Sequence, residues 1–172
     1  MINHSQAIIL IILLVVAVFF DVRERRIPNW LTFPFMAAGL AYHAAADGLS
    51  GVIFSMLGIA LGIALLIIFY VSGGMGAGDV KLMGAVGSLL GPANVLYAFV
   101  YSALIGGIYA AAVLYRHSAL RSSIERLASV PVDFARTGQW FWTPAPATKK
   151  IPRMCYGVAI SLGTGIYVLR SL

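Results

Sequence analysis

Long apolar stretches set off by short polar or glycine-rich joints dominate this chain. Residues 7–20 contain no charged or strongly polar side chain, and the uncharged residues ahead of them extend the run toward bilayer length. A helix needs about 20 such residues to cross the hydrocarbon core, somewhat fewer where the bilayer thins or flanking side chains snorkel. On that measure the pattern predicts six spanning helices, over 5–21, 30–46, 51–71, 78–91, 93–115 and 153–170. The third is the clearest, with Ser55 its one plainly polar side chain; the fourth is short and carries Lys81 near its start. A secretory signal would begin with basic residues and end at a small-residue cleavage site, whereas the first apolar run ends in Asp21.

Residues 116–152 form the one sizeable polar segment. Leu120, Ile124 and Leu127 recur there at helical spacing, the pattern of a short helix in the membrane interface. Trp140, Phe141 and Trp142 follow, a suitable interfacial anchor.

Charge orders these segments. Arg23, Arg25, Arg26, Lys81, Arg116, Arg121, Arg126, Arg136, Lys149, Lys150 and Arg153 all fall in connections that six spans place on one face, leaving Arg170 alone on the other. Cytoplasmic loops collect Lys and Arg, so that face is expected to be cytoplasmic and both termini extracytoplasmic. The expected architecture is thus an all-α integral membrane protein, a single membrane-embedded domain over residues 1–172 with a cytoplasmic loop at 116–152.

Composition agrees. Of 172 residues, 60% are hydrophobic and only 10% charged, too few charges to cover the surface of a soluble domain. The net charge of +6 would suggest nucleic acid in a polar chain; in one this apolar it reports orientation against membrane lipid. The lone Cys155 excludes a disulfide framework, a redox pair or a thiolate zinc site. His4, His43 and His117 lie in separate segments without an H-E-x-x-H motif, and there is no Walker loop or dinucleotide fingerprint. No metal or cofactor is expected. Ser88 and His43 lack the nucleophile turn of an intramembrane serine protease.

Two acids stand apart. Glu24, Asp47, Glu125 and Asp133 fall in connections, but Asp21 closes the first helix and Asp79 opens the fourth, both at the cytoplasmic end. Carboxylates at membrane depth are costly and signal function or a partner. Structural roles are available to each: Asp21 can pair with Arg25, and Asp79 can serve as an N-cap. Sharing one depth, the two suit another task. Carboxylates that approach closely share a proton, so that the ionised one takes a proton from water while the protonated one polarises a carbonyl. Gly76 and Gly78 bare the backbone beside Asp79 for close approach. Lys81 is placed to support that carboxylate or to snorkel to the headgroups, and Asn29 to cap the second helix.

Gly76-Ala77-Gly78-Asp79-Val80-Lys81-Leu82 resembles the G-x-G-D signature of membrane aspartyl proteases, and most closely that of type IV prepilin peptidases. Asp21-Val22-Arg23 with Arg26-Ile27-Pro28-Asn29 is similar to the segment around that family's first catalytic aspartate, and Tyr156-Gly157-Val158-Ala159-Ile160 to a stretch of its last helix. The resemblance implies Asp21 and Asp79 as a catalytic pair and pilin precursors as substrates, cut after a glycine at the edge of their apolar helix. It also implies the bacterial cytoplasmic (inner) membrane. Larger members add a cysteine-bearing amino-terminal part and N-methylate their product. This sequence resembles the small form serving tight-adherence (Flp-type) pili, expected to cleave without methylating. The rival from another class is a small proton-coupled transporter or channel using the same two acids.

Overall fold

The computed structural model describes residues 3–72, 74–116 and 155–172, all of them helices and their joints. The described residues form four helices: α1 (His4–Glu24), α2 (Asn29–Val71), α3 (Ala77–Arg116) and α4 (Tyr156–Ser171). Three of them, α1, α2 and α3, are long and apolar enough to cross a membrane. The interfacial helix and aromatic cluster expected within 116–152 lie outside the described residues. Among those described, residues up to Gly106 and from Cys155 onward form one compact unit, which contains every contact discussed below. Residues 107–116, the end of α3, belong to a second.

Neither α2 nor α3 is one straight rod. Gly48 breaks α2 with φ 60° and ψ −135°, and Gly91 breaks α3 with φ 76° and ψ 177°, both conformations that a side chain disfavours. Packing shows that α2 doubles back at its break. Before it, Met36 and Gly39 face Gly84 and Ser88; after it, Gly58 and Gly62 face Gly87 and Met83. The two arms therefore run in opposite directions along the first arm of α3. Gly58 and Gly87 meet backbone to backbone, and a Cβ on either would overlap the other's carbonyl.

The short first arm of α3, least apolar in appearance, is the centre of the first unit. From Leu82 to Gly91 every residue is buried, as expected of a helix surrounded on all sides. Leu10, Leu13 and Ala17 of α1 and Leu31 of α2 complete the core. Ile8, Ile11, Ile12, Val15 and Phe19 instead cover the outside of α1, an exposed apolar face that suits lipid and not water.

The α3 break leaves backbone carbonyls short of partners, since Pro92 has no N–H to offer Ser88. Side chains fill the gap. Ser55 Oγ donates to the Ser88 carbonyl at 2.8 Å, His43 Nε2 to Leu89 at 3.0 Å and Asn94 Nδ2 to Leu90 at 3.0 Å. Away from water such carbonyls must be satisfied internally, which accounts for buried Ser55 and His43. Beyond the break, α3 runs antiparallel to α4: Asn94 bonds Tyr167 at 2.8 Å, and Ser102 bonds the Ile160 carbonyl at 3.2 Å.

Candidate active site

Helix α1 ends by a left-handed cap. Arg25 has φ 51° and ψ 33°, and its amide returns to the Asp21 carbonyl at 3.0 Å. Arg25 thus meets Asp21 through its backbone amide. The chain then turns inward, burying Ile27, and Pro28 occupies the N-cap of α2. Asn29 is therefore the first residue of that helix and not its cap. Its side-chain oxygen accepts a hydrogen bond from Lys81 Nζ at 2.8 Å, and the same ammonium lies 5.2 Å from the centre of the Phe33 ring.

Ile27 is the pivot around which the acids gather. A Cβ on Gly78 would come within 3.0 Å of both the Ile27 Cβ and its carbonyl oxygen, so the start of α3 approaches this joint as only glycine allows. From the other side, a Cβ on Gly157 would lie 2.9 Å from Ile27 Cδ1 and 2.8 Å from Asp21 Oδ2. The ends of α1 and α2 and the starts of α3 and α4 converge here.

Asp79 stands in the third position of α3, not at its N-cap. Its carboxylate reaches back to accept the Gly76 amide at 3.1 Å, while its own amide donates to the Gly76 carbonyl at 3.1 Å. This is the returning half of a capping box, and it gives Gly76 a definite part. Asp21 does the equivalent between helices: its Oδ2 accepts the Val158 amide of α4 at 3.1 Å. Cys155, the N-cap of α4, makes no side-chain cap and instead turns its thiol to the Asp21 carbonyl at 3.7 Å.

Both carboxylates are buried, with 5% of Asp21 and 7% of Asp79 exposed, and Ile27 packs against both Gly78, beside Asp79, and Gly157, which lies against Asp21. The fold brings together Asp21, Asp79, Gly76 and Gly78. Lys81 is nearby on the same helix, with its ammonium engaged by Asn29 and Phe33. Two buried carboxyl groups that approach closely can hold a proton between them and exchange it with a water placed between.

The part of α4 in this centre was not foreseen from the properties of its residues. Gly157 and Val158 drew notice only through a resembling stretch, because a backbone amide and a missing side chain leave no chemical signature. At the other end of the helices, Ser88 Oγ donates to the Ala85 carbonyl at 2.8 Å while His43 serves Leu89, so neither is arranged as a nucleophile and its base. A cavity of about 440 Å³ lies beside His43, lined also by Gln6, Tyr42, Asp47 and Asn94. Among the described residues no three His, Cys, Asp or Glu side chains are grouped to hold a metal.

Comparison with known proteins bears on this arrangement. The family model described as the type IV leader peptidase family matches residues 8–111. A Bacillus subtilis (strain 168) protein named prepilin leader peptidase/N-methyltransferase is 32% identical over 160 residues, covering 90% of this chain and 56% of its own length. The chain thus spans about half the length of that curated relative. No solved structure matches.

Proposed function

The chain belongs to the type IV leader peptidase family, and from that premise we propose that it is a membrane aspartyl endopeptidase, using Asp21 and Asp79 to remove cytoplasmic leaders from Flp-like type IV pilin precursors. The observation that carries this reading is the convergence of two buried carboxylates, 58 positions apart in sequence, at one end of the helices. Arg23, Arg25, Arg26 and Lys81 cluster at that same end. With six spans, it faces the cytoplasm of a bacterium through its inner membrane. A precursor whose leader stays inside and whose apolar helix lies in the bilayer would present its cleavage point at this depth.

The chemistry follows from a shared proton. One carboxylate is ionised and removes a proton from water as that water attacks the scissile carbonyl; the other is protonated and donates to the carbonyl oxygen. Collapse of the tetrahedral intermediate breaks the carbon–nitrogen bond. The proton taken from water passes to the leaving amine, which becomes the new amino terminus. Gly76 and Gly78 keep this approach free of side chains. A transporter using the same acids is less favoured, because the family match points to a peptidase and both carboxylates lie at one end of the helices and not at the midplane.

The test pairs purified full-length protein with a pilin precursor whose short hydrophilic leader ends in glycine. Mass spectrometry of the new amino terminus identifies the cut, and its intact mass shows whether a methyl group has been added. Asp21→Asn and Asp79→Asn are each expected to reduce kcat by at least about a thousandfold, since asparagine keeps the shape but cannot exchange the proton. Glu24→Gln and Asp47→Asn are expected to cut at the wild-type rate. Full activity in either asparagine variant of the pair, at normal insertion, would refute the mechanism.

A further inference from the structure

We propose that Gly157 and Val158, at the start of α4, are positioning residues that hold the Asp21 carboxylate in its working orientation. The inference rests on the peptidase reading above and adds to it a third helix that completes the site.

Three observations converge on these residues. Val158 donates its backbone amide to Asp21 Oδ2 at 3.1 Å, and the Gly157 amide is directed at the same carboxylate. Amides in the first turn of a helix have no partner inside it. With Cys155 making no side-chain cap, Asp21 supplies one from another helix. Engaging Oδ2 in this way restrains the rotation of the carboxylate.

The second observation is space. A Cβ on Gly157 would lie 2.8 Å from Asp21 Oδ2, 3.0 Å from its Cγ and 2.9 Å from Ile27 Cδ1. All three are side-chain atoms, which shift more readily than backbone, so the displaced groups would be the carboxylate and the Ile27 side chain and not the backbone. The third is that Cys155 ties the same turn of α4 to the Asp21 carbonyl, so side chain and backbone of this one residue are both gripped. Asp79 is held differently, its Oδ2 accepting the Gly76 amide at its own helix start.

Gly157→Ala therefore separates positioning from folding. Alanine is the better helix former, so α4 itself is not weakened, while the reacting carboxylate is pushed aside. A displacement near 1 Å can cost about a hundredfold in rate. We expect Gly157→Ala to lower kcat for the pilin precursor by roughly that factor, with KM unchanged within about threefold and the melting temperature in detergent held. Val158→Pro removes the donating amide in the first turn, where that N–H has no partner inside the helix, and is expected to show the same kcat-selective loss. Adding Ile27→Val to Gly157→Ala relieves the contact with Ile27 but not that with Asp21, so activity should not return. Gly165→Ala, on the same helix with nothing near its Cβ, serves as the control and should keep the wild-type rate.

Wild-type kcat in both Gly157→Ala and Val158→Pro would overturn the positioning role while leaving the peptidase reading intact. So would a loss that follows the melting temperature, or one restored by Ile27→Val. A wild-type protein that does not cut, or an Asp79→Asn variant that cuts as well, would overturn the peptidase reading and this role with it.

Discussion

Lys81 sits two positions after Asp79, yet its ammonium is held by Asn29 at 2.8 Å and lies over Phe33. An exposed hydrogen bond of this kind contributes on the order of 1 kcal/mol. It ties the first residue of α2 to the fifth of α3. Lys81→Met, which keeps most of the stem, is thus expected to reduce kcat by no more than about threefold, since 0.6 kcal/mol corresponds to roughly that factor; steady-state cleavage of the precursor measures it. Thr164 is a sharper case. Its hydroxyl is fully buried and has no hydrogen-bond partner among the described residues. Burying a hydroxyl without a bond costs about 1–3 kcal/mol in proteins, so Thr164→Val, nearly the same shape, should raise the melting temperature in detergent. A fall would mean that the hydroxyl has a partner beyond the described residues.

At the level of helices, the two glycine breaks invite a direct comparison. Gly48 and Gly91 both have positive φ, but a Cβ at Gly48 meets nothing within 4 Å, whereas one at Gly91 would overlap the Phe54 ring. Gly48→Ala should lose only the backbone contribution, about 1–3 kcal/mol. Gly91→Ala adds overpacking of a further 1–3 kcal/mol or so, and thermal unfolding of the two variants side by side should show the larger drop for Gly91. These breaks fall where hydropathy separates the second apolar segment from the third and the fourth from the fifth, and Asp47-Gly48 and Gly91-Pro92 mark them in the sequence. The acids were legible for the same kind of reason, because charge is rare in this chain. What could not be read was the central place of residues 79–90, which depends on Gly39, Gly58, Gly62 and Gly87 letting backbones touch. Nor could the displacement of Asn29 from the α2 cap by Pro28, or the reach of Asp79 from the third position. Those follow from how helix ends meet in space, and hydrophobic periodicity carries no record of it.

For the whole molecule, orientation is the testable quantity. The eleven basic residues that six spans collect on one face, against Arg170 on the other, set the expected polarity. With Cys155 replaced by serine, a single cysteine at position 47 should react with a membrane-impermeant thiol reagent from outside intact cells. One at position 26 should react only after permeabilisation. The reverse pattern would turn the acids away from a cytoplasmic leader.

The bond between Asp21 and Val158 joins residues 137 positions apart, and that span has a meaning in time as well as in space. A ribosome releases about 5–20 residues each second, so Asp21 is made and inserted many seconds before α4 exists. Once Asp79 has followed, the nascent chain carries both acids but not the turn of helix that orients the first. If that turn is what readies the carboxylate, a chain stalled or cut short before residue 155 would sit in the membrane inert. Competence would then arrive with the last helix, so that an unfinished protease never acts on the proteins being inserted around it.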